Sequence, residues 1–268
     1  MTESNSRRST ALVTGASSGI GYELACLLAA EGYDLVLVAR QKHVLEKLGE
    51  ALQRAHGIRA HVIAADLSDP AIPEAIALTL QKEDVPIDIL VNNAGFGTYG
   101  HMAETDTRQL LNLIQVNITA LTHLTRLFLP AMIARGRGKI LNVASTAAFQ
   151  PGPLMAAYYA SKAYVLSFSD AVHHEAKGTG VTVTALCPGP TRSEFQKRAG
   201  IEHTRLMKGR IMSSKDVALA GLRAMMQGKP RVVPGFRNKL LMVAVRLAPR
   251  DLVLNMVRRI QEERQSPR

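Results

Sequence analysis

Residues 11–31 read ALVTGASSGIGYELACLLAAE, and three kinds of residue follow one another along them. Ala11–Thr14 is a short apolar run suited to a buried strand. Glycines at 15, 19 and 21 come next, and then a helical run from Gly19 to Glu31. Glycine has no Cβ, so such a turn can be tight and its backbone can approach a ligand closely. The helix that opens on it presents free N–H groups and the positive end of its dipole, which together suit a pyrophosphate. Glycines alone would fit an incidental turn equally well; the strand–turn–helix setting is what points to a dinucleotide.

Working outward, the same alternation continues. Apolar runs at Asp34–Ala39, Ala60–Ala65, Ile87–Val91, Lys139–Ala144 and Val181–Leu186 read as strands, with a seventh at Pro230–Val233. Helical patterns lie between them, at Val44–Ala55, Ala71–Lys82, Asp106–Ala134 and Leu154–Lys177. Strands buried on both faces and separated by helices call for an α/β fold: a single doubly wound, Rossmann-type parallel sheet with right-handed crossovers. The expected division is a flexible N-terminus over 1–9, one catalytic domain over 10–235 and a basic amphipathic extension over 236–268. The second strand, DLVLVAR, ends in Ala39 and Arg40. A site for NAD usually carries a carboxylate there for the ribose 2′-OH. A guanidinium suits the 2′-phosphate of NADP(H) instead, although Arg40 as a plain surface residue remains the alternative.

Taken together, these features resemble the short-chain dehydrogenase/reductase family over roughly residues 10 to 193. TGASSGIG at 14–21 fits that family's TGxxxGxG turn; Asp66 in AADLS, NNAG at 92–95, Asn117 in IQVNITAL, Ser145 in LNVAS and YYASK at 158–162 follow in order. The resemblance implies a catalytic set of Asn117, Ser145, Tyr158 and Lys162. For the cofactor it implies Gly15, Ser17, Ser18, Gly19 and Ile20 in the turn, and Arg40, Asp66 and Leu67 near the adenosine. Asn93, Ala94 and Gly95 follow the fourth strand. Tyr158 and Lys162 stand at the nicotinamide ribose, with Pro188, Gly189, Thr191 and Ser193 beside the nicotinamide. The family commonly has an aliphatic residue at position 191 and threonine at 193, which leaves open whether Thr191 or Ser193 touches the cofactor.

Three tyrosines crowd this region, at 158, 159 and 164. The YxxxK spacing selects Tyr158, which shares a helix face with Lys162, and leaves Tyr159 and Tyr164 for packing or the substrate pocket. The expected chemistry interconverts a carbonyl and a secondary alcohol by hydride transfer. Tyr158 is general acid/base, Ser145 hydrogen-bonds the carbonyl oxygen, and no metal is required. Lys162 is expected to favour the phenolate and lower the tyrosine pKa. A regulator that binds NADPH without turnover is the rival from another class, as is, among enzymes, a reductase of steroids or 3-oxoacyl groups at a membrane surface.

Charge is unevenly placed. Residues 1–191 hold 15 Lys+Arg against 16 Asp+Glu, whereas residues 192–268 hold 18 against 6. A basic excess confined to the last 77 residues argues against a nucleic-acid partner and for a local basic surface. Residues 192–212 read as a mobile substrate lid whose basic and apolar mixture suits a lipophilic or anionic small molecule. Beyond it, apolar patches at Leu240–Val245 and Leu252–Val257 flank Pro249, with polar positions at helical spacing. Core packing, a subunit interface and peripheral contact with an anionic membrane are the three readings of that tail. No run reaches the roughly 18 uncharged apolar residues of a membrane span. Cys26 and Cys187 stand apart without a pairing pattern, so a cytoplasmic setting is the expectation; the family resemblance implies a homodimer or homotetramer.

Overall fold

The computed structural model describes residues 8–201, 204 and 211–262. Seven parallel strands form one sheet in the order β3-β2-β1-β4-β5-β6-β9. They are β1 (Thr10–Thr14), β2 (Asp34–Ala39), β3 (Ala60–Ala64), β4 (Ile89–Asn92), β5 (Gly138–Val143), β6 (Val181–Leu186) and β9 (Arg231–Val232). Helices α1 (Gly19–Ala30), α2 (Lys42–His56) and α8 (Ser214–Met226) cover one face with Leu24, Leu28, Leu45, Leu48, Val217 and Met225. On the other face lie α3 (Ile72–Lys82), α5 (Leu121–Ala134) and α6 (Ala156–Glu175), contributing Ile76, Leu80, Leu124, Met132 and Val172. Every residue of β1 is buried, which explains why this strand reads as a continuous apolar run rather than an alternating one.

The chain turns outward from β1 in both directions, so the strand order reverses between β1 and β4. In an open α/β sheet the crevice beyond the strand ends at such a point takes the ligand. Thr14 ties the two sides together there. Its Oγ1 accepts from the backbone N–H of Asn93 and of Ala94, both at 3.0 Å. The side-chain Nδ2 of Asn93 returns a bond to the Thr14 carbonyl at 2.9 Å.

Two expected helices differ from what the pattern predicts. The run over 106–134 is not uniform: α4 (Thr107–Ile114) passes through a wider π turn, Gln115–Ala120, into α5. One 18-residue window of this 28-residue run reaches a mean hydropathy of 1.2, enough for a membrane span by length and composition alone. Here, however, Leu113, Val116, Leu121 and Leu124 are buried in the protein's own core. Helix α6 begins at Ala156 rather than Leu154 because Leu154 sits at φ 67°, a left-handed conformation that no α-helix accommodates.

The described part of 192–212 is framed by β7 (Thr191–Arg192) paired in parallel with β8 (Met212–Ser213), with α7 (Phe195–Ala199) between them. Most of the remaining expected lid, 202–203 and 205–210, lies outside the described residues. The tail forms two helices, α9 (Phe236–Leu247) and α10 (Arg250–Gln261), meeting at Pro249. Val253 and Val257 of α10 are buried with Met155, Tyr159 and Ile201 in a small core beside the crevice.

Candidate active site

A cavity of about 460 Å³ opens at the sheet's switch point, between the turn after β1 and the start of α6. Its floor at one end is the glycine turn. Gly15 and Gly19 adopt φ of 66° and 59°, backbone that a residue with a Cβ strains to reach. A Cβ on Gly21 would lie 2.3 Å from Asn93 Nδ2 and 2.4 Å from the Gly15 carbonyl oxygen, so this position admits only hydrogen. Ser18, the residue before α1, makes no side-chain cap bond, and the first turn of α1 holds no acidic residue. The helix therefore offers uncompensated N–H groups toward the cavity. Ser17, Ser18 and Ile20 line the same wall.

Arg40, just past β2, and Asp66 and Leu67, past β3, line the adjoining rim. Arg40 Nη1 stands 3.8 Å from Asp66 Oδ2, with both side chains about half-exposed or more. So open an ion pair holds weakly, and the guanidinium is free to exchange it for another anion. Asn93, Ala94 and Gly95 complete this side.

At the other end β5 delivers Ser145 and α6 delivers Tyr158 and Lys162. Ser145 caps the short turn Thr146–Phe149, its Oγ accepting from Ala147 N–H at 3.1 Å. Tyr158 is half-buried, with its ring against Phe195 at 5.2 Å between centroids. Burial pushes its phenol above the ordinary tyrosine value, a hydrogen bond with Ser145 pulls it back, and neighbouring Tyr159 raises it further. Lys162 is almost wholly enclosed; its Nζ donates to the Val143 carbonyl at 2.8 Å and lies 5.8 Å from the Tyr158 ring centre. Burial pulls its ammonium down to about 8. Burial is the largest influence on the Tyr158 phenol in this enclosure.

Asn117 is placed differently from the rest. It does not line the cavity but sits behind it on the π turn, buried, with Oδ1 accepting from Phe96 N–H at 3.1 Å. Its Nδ2 donates to the Phe96 carbonyl and to Ser161 Oγ, both at 3.0 Å. The wider turn is where π geometry recurs at functional sites; here it seats an amide that pairs with both polar groups of Phe96. Gly95 lies tight against this arrangement, since a Cβ there would meet Asn117 Oδ1 at 3.0 Å.

Pro188, Gly189, Thr191 and Ser193 follow β6 and close the cavity near Ser145. Thr191 Oγ1 donates to the Gly189 carbonyl at 2.9 Å. Ser193 Cβ would come within 3.1 Å of a Cβ on Gly19, so this segment reaches across to the α1 turn. Both Thr191 and Ser193 line the cavity. Of the two remaining tyrosines, Tyr159 is a buried wall residue. Tyr164 instead stacks on Phe168 and shares a 3.0 Å hydrogen bond with Thr122, outside the cavity.

The pattern of the sequence missed several wall residues. Asn238 and Leu241 of α9 and Val257 and Ile260 of α10 line the cavity with Phe195, Gln196 and Ile201. Asn238 packs so closely that a Cβ on Gly189 would lie 2.6 Å from its Nδ2. Gln261 then fastens α10: its Nε2 donates to Tyr159 Oη at 2.5 Å, and its carbonyl accepts from Tyr99 Oη at 2.8 Å. No local signal marks these contacts, because they span as many as 162 residues of chain.

The short chain dehydrogenase profile matches residues 9–203. A ketoacyl reductase, HetN, of Nostoc sp. is 34% identical across 76% of this chain and 74% of its own length. A very-long-chain 3-oxoacyl-CoA reductase of Phaeosphaeria nodorum is 36% identical across 67% of this chain, which spans 54% of that relative. A short-chain dehydrogenase from Sphingobium yanoikuyae, solved in complex with NADPH, has a TM-score of 0.80 and 35% identity. That alignment covers 89% of this chain and 94% of the other.

Proposed function

The chain belongs to the short-chain dehydrogenase/reductase family, and within it we propose an NADPH-dependent reductase that converts a lipophilic ketone to a secondary alcohol. The observation that carries this reading is Tyr158: a phenol sharing the cavity wall with Ser145, its ring centre 5.8 Å from Lys162 Nζ. An NADPH-binding regulator without turnover has no use for that trio.

The residues fit a nicotinamide dinucleotide. Gly15, Gly19 and Gly21 clear the backbone approach, and the uncapped α1 N-terminus favours a pyrophosphate. Arg40 would exchange its exposed pairing with Asp66 for the 2′-phosphate of NADP(H), a bidentate partner better suited to a guanidinium. The NADPH carried by the Sphingobium relative supports that preference. Tyr158 and Lys162 would hold the nicotinamide ribose, and the segment from Pro188 to Ser193 would flank the ring. Once bound, the cofactor supplies the hydride that reaches the carbonyl carbon.

The protein's own part is positioning and proton delivery. Ser145 Oγ donates a hydrogen bond to the substrate oxygen, drawing electron density from the carbonyl carbon. Tyr158 Oη gives its proton to the same oxygen as charge develops there. A phenol held above its ordinary pKa by burial stays protonated at neutral pH, the state that reduction consumes. Lys162 would hold ribose hydroxyls of the bound cofactor. Asn117 fixes the Phe96 backbone behind Gly95 and thereby the wall on which a proton-relaying water would rest.

The substrate end of the cavity is apolar, with Phe96, Met155, Phe195, Ile201 and Val257. With the ketoacyl and 3-oxoacyl reductases among its relatives, this favours bulky ketones or 3-oxoacyl thioesters as substrates. Exposed Leu111, Ile114 and Ile133 on the α4–α5 run favour a homo-oligomer built on these helices.

The test follows nicotinamide oxidation against soluble ketones and 3-oxoacyl thioesters, with NADPH and NADH in parallel. Turnover with NADPH preferred is expected, and a loss on the order of a thousandfold in Tyr158→Phe with NADPH still bound. An NADH preference would overturn the cofactor assignment. Undiminished turnover in the variant would overturn the role of Tyr158.

A further inference from the structure

Helix α9 buries none of its residues, although it is made largely of apolar ones. Phe236, Leu240, Val243 and Leu247 are spaced i, i+4, i+7 and i+11, so they share one face; they are 80%, 60%, 48% and 82% exposed. The opposite face does the work of the fold: Met242 and Val245 pack on the core, and Asn238 and Leu241 line the cavity. Helix α10 repeats the division. Val253, Val257 and Gln261 point inward, while Leu252 and Met256 are more than half-exposed.

Eight of the fifteen large apolar side chains exposed among the described residues fall on these two helices. Such a concentration of exposed apolar side chains, four of them in one stripe along α9, marks an interaction surface. Its border identifies the partner. Residues 236–262 carry six basic residues against two acidic. Arg237 lies on one side of the α9 stripe and Lys239 and Arg246 on the other. Long basic side chains flanking an apolar stripe can sink their stems toward acyl chains and keep their charges among anionic headgroups.

We propose that α9 and α10 form a docking surface for an anionic lipid bilayer. The stripe Phe236–Leu240–Val243–Leu247 enters the headgroup–acyl boundary and the flanking Arg and Lys pair with lipid phosphates or carboxylates. Leu241 and Ile260 belong both to the exposed apolar surface and to the cavity wall. The cavity rim therefore opens beside the docked helices, and a membrane-borne ketone can pass into it along apolar side chains. That last step rests on the reductase reading; the docking does not.

The full chain is mixed with phosphatidylcholine vesicles with and without phosphatidylserine, and floated at low and high salt. Wild type is expected to float with the anionic vesicles and to release them as salt screens the basic border. The double variant Leu240→Ser/Leu247→Ser, outside the cavity wall, should keep the wild-type melting temperature and lose vesicle binding by about tenfold or more. Arg237→Glu/Arg246→Glu should lose it by about the same factor. Wild type that fails to float, or floats equally well with neutral vesicles, overturns the proposal. So does a homodimer in light scattering that the Leu240→Ser/Leu247→Ser variant dissolves, because a second copy then covers this face. Long-chain ketone reduction stimulated by anionic vesicles in wild type and not in that variant supports the loading path. Turnover on soluble ketones without that stimulation overturns the path alone, whereas no turnover on any ketone beside normal flotation overturns the reductase reading and leaves docking standing.

Discussion

Lys162 and Tyr158 occupy one face of α6, and burial drives their titrations apart: the phenol moves up, and the ammonium moves down from 10.5 to about 8. Linkage gives each a sign. An unfolded lysine keeps its proton to about pH 10.5, so between roughly pH 8 and 10 the unfolded chain binds more protons than the native protein. Lys162 therefore makes stability rise with pH across that window. Tyr158 acts oppositely, but only above about pH 10, where unfolded tyrosine ionises and the native phenol does not. Melting temperatures of wild type and Lys162→Met between pH 7 and pH 10 isolate the lysine. The wild type should gain on the variant as pH rises, by on the order of 3 kcal/mol at most. Parallel curves would mean that the ammonium is not held in a desolvated state. At this scale the YxxxK spacing singles out two residues that both line the cavity, but not their titration, which depends on walls built by distant parts of the chain.

Among the elements, the β1–α1 turn tolerates least. A methyl group on Gly21 meets Asn93 Nδ2 and the Gly15 carbonyl at distances no real contact reaches. Asn93 is itself held by bonds to Thr14 and Gly15 at 2.9 and 3.2 Å. Gly21→Ala should therefore cost about 1–3 kcal/mol of stability and weaken NADPH binding by at least about tenfold. Thermal melting and nicotinamide fluorescence titration read the two effects; a variant with wild-type values in both would contradict the close packing seen here. This turn was legible in the sequence because glycine spacing acts locally. The π turn at Gln115–Ala120 was not; the partner its Asn117 pairs with, Phe96, lies 21 residues away. Nor was the start of α6, set by the left-handed backbone at Leu154.

For the molecule as a whole, the C-terminal helices complete the cavity that the sheet begins. Val257 and Ile260 form its outer wall, and Gln261 anchors α10 to Tyr99 and Tyr159. Ending the chain after Leu247 should lower the melting temperature, because buried Val253 and Val257 each contribute about 1.5–3 kcal/mol. KM for bulky ketones should rise about tenfold or more, well beyond any change in NADPH affinity. An unchanged KM would place the substrate away from α10. The doubly wound sheet, its glycine turn and the candidate side chains that line its cavity were already written in the order of residues. Apolar runs, glycines and i, i+4 spacing express themselves over a few neighbouring positions. What the tail does was decided only on folding. An amphipathic helix declares that it has an apolar side and a polar one. Which core, cavity or outside surface each side meets depends on contacts spanning most of the chain.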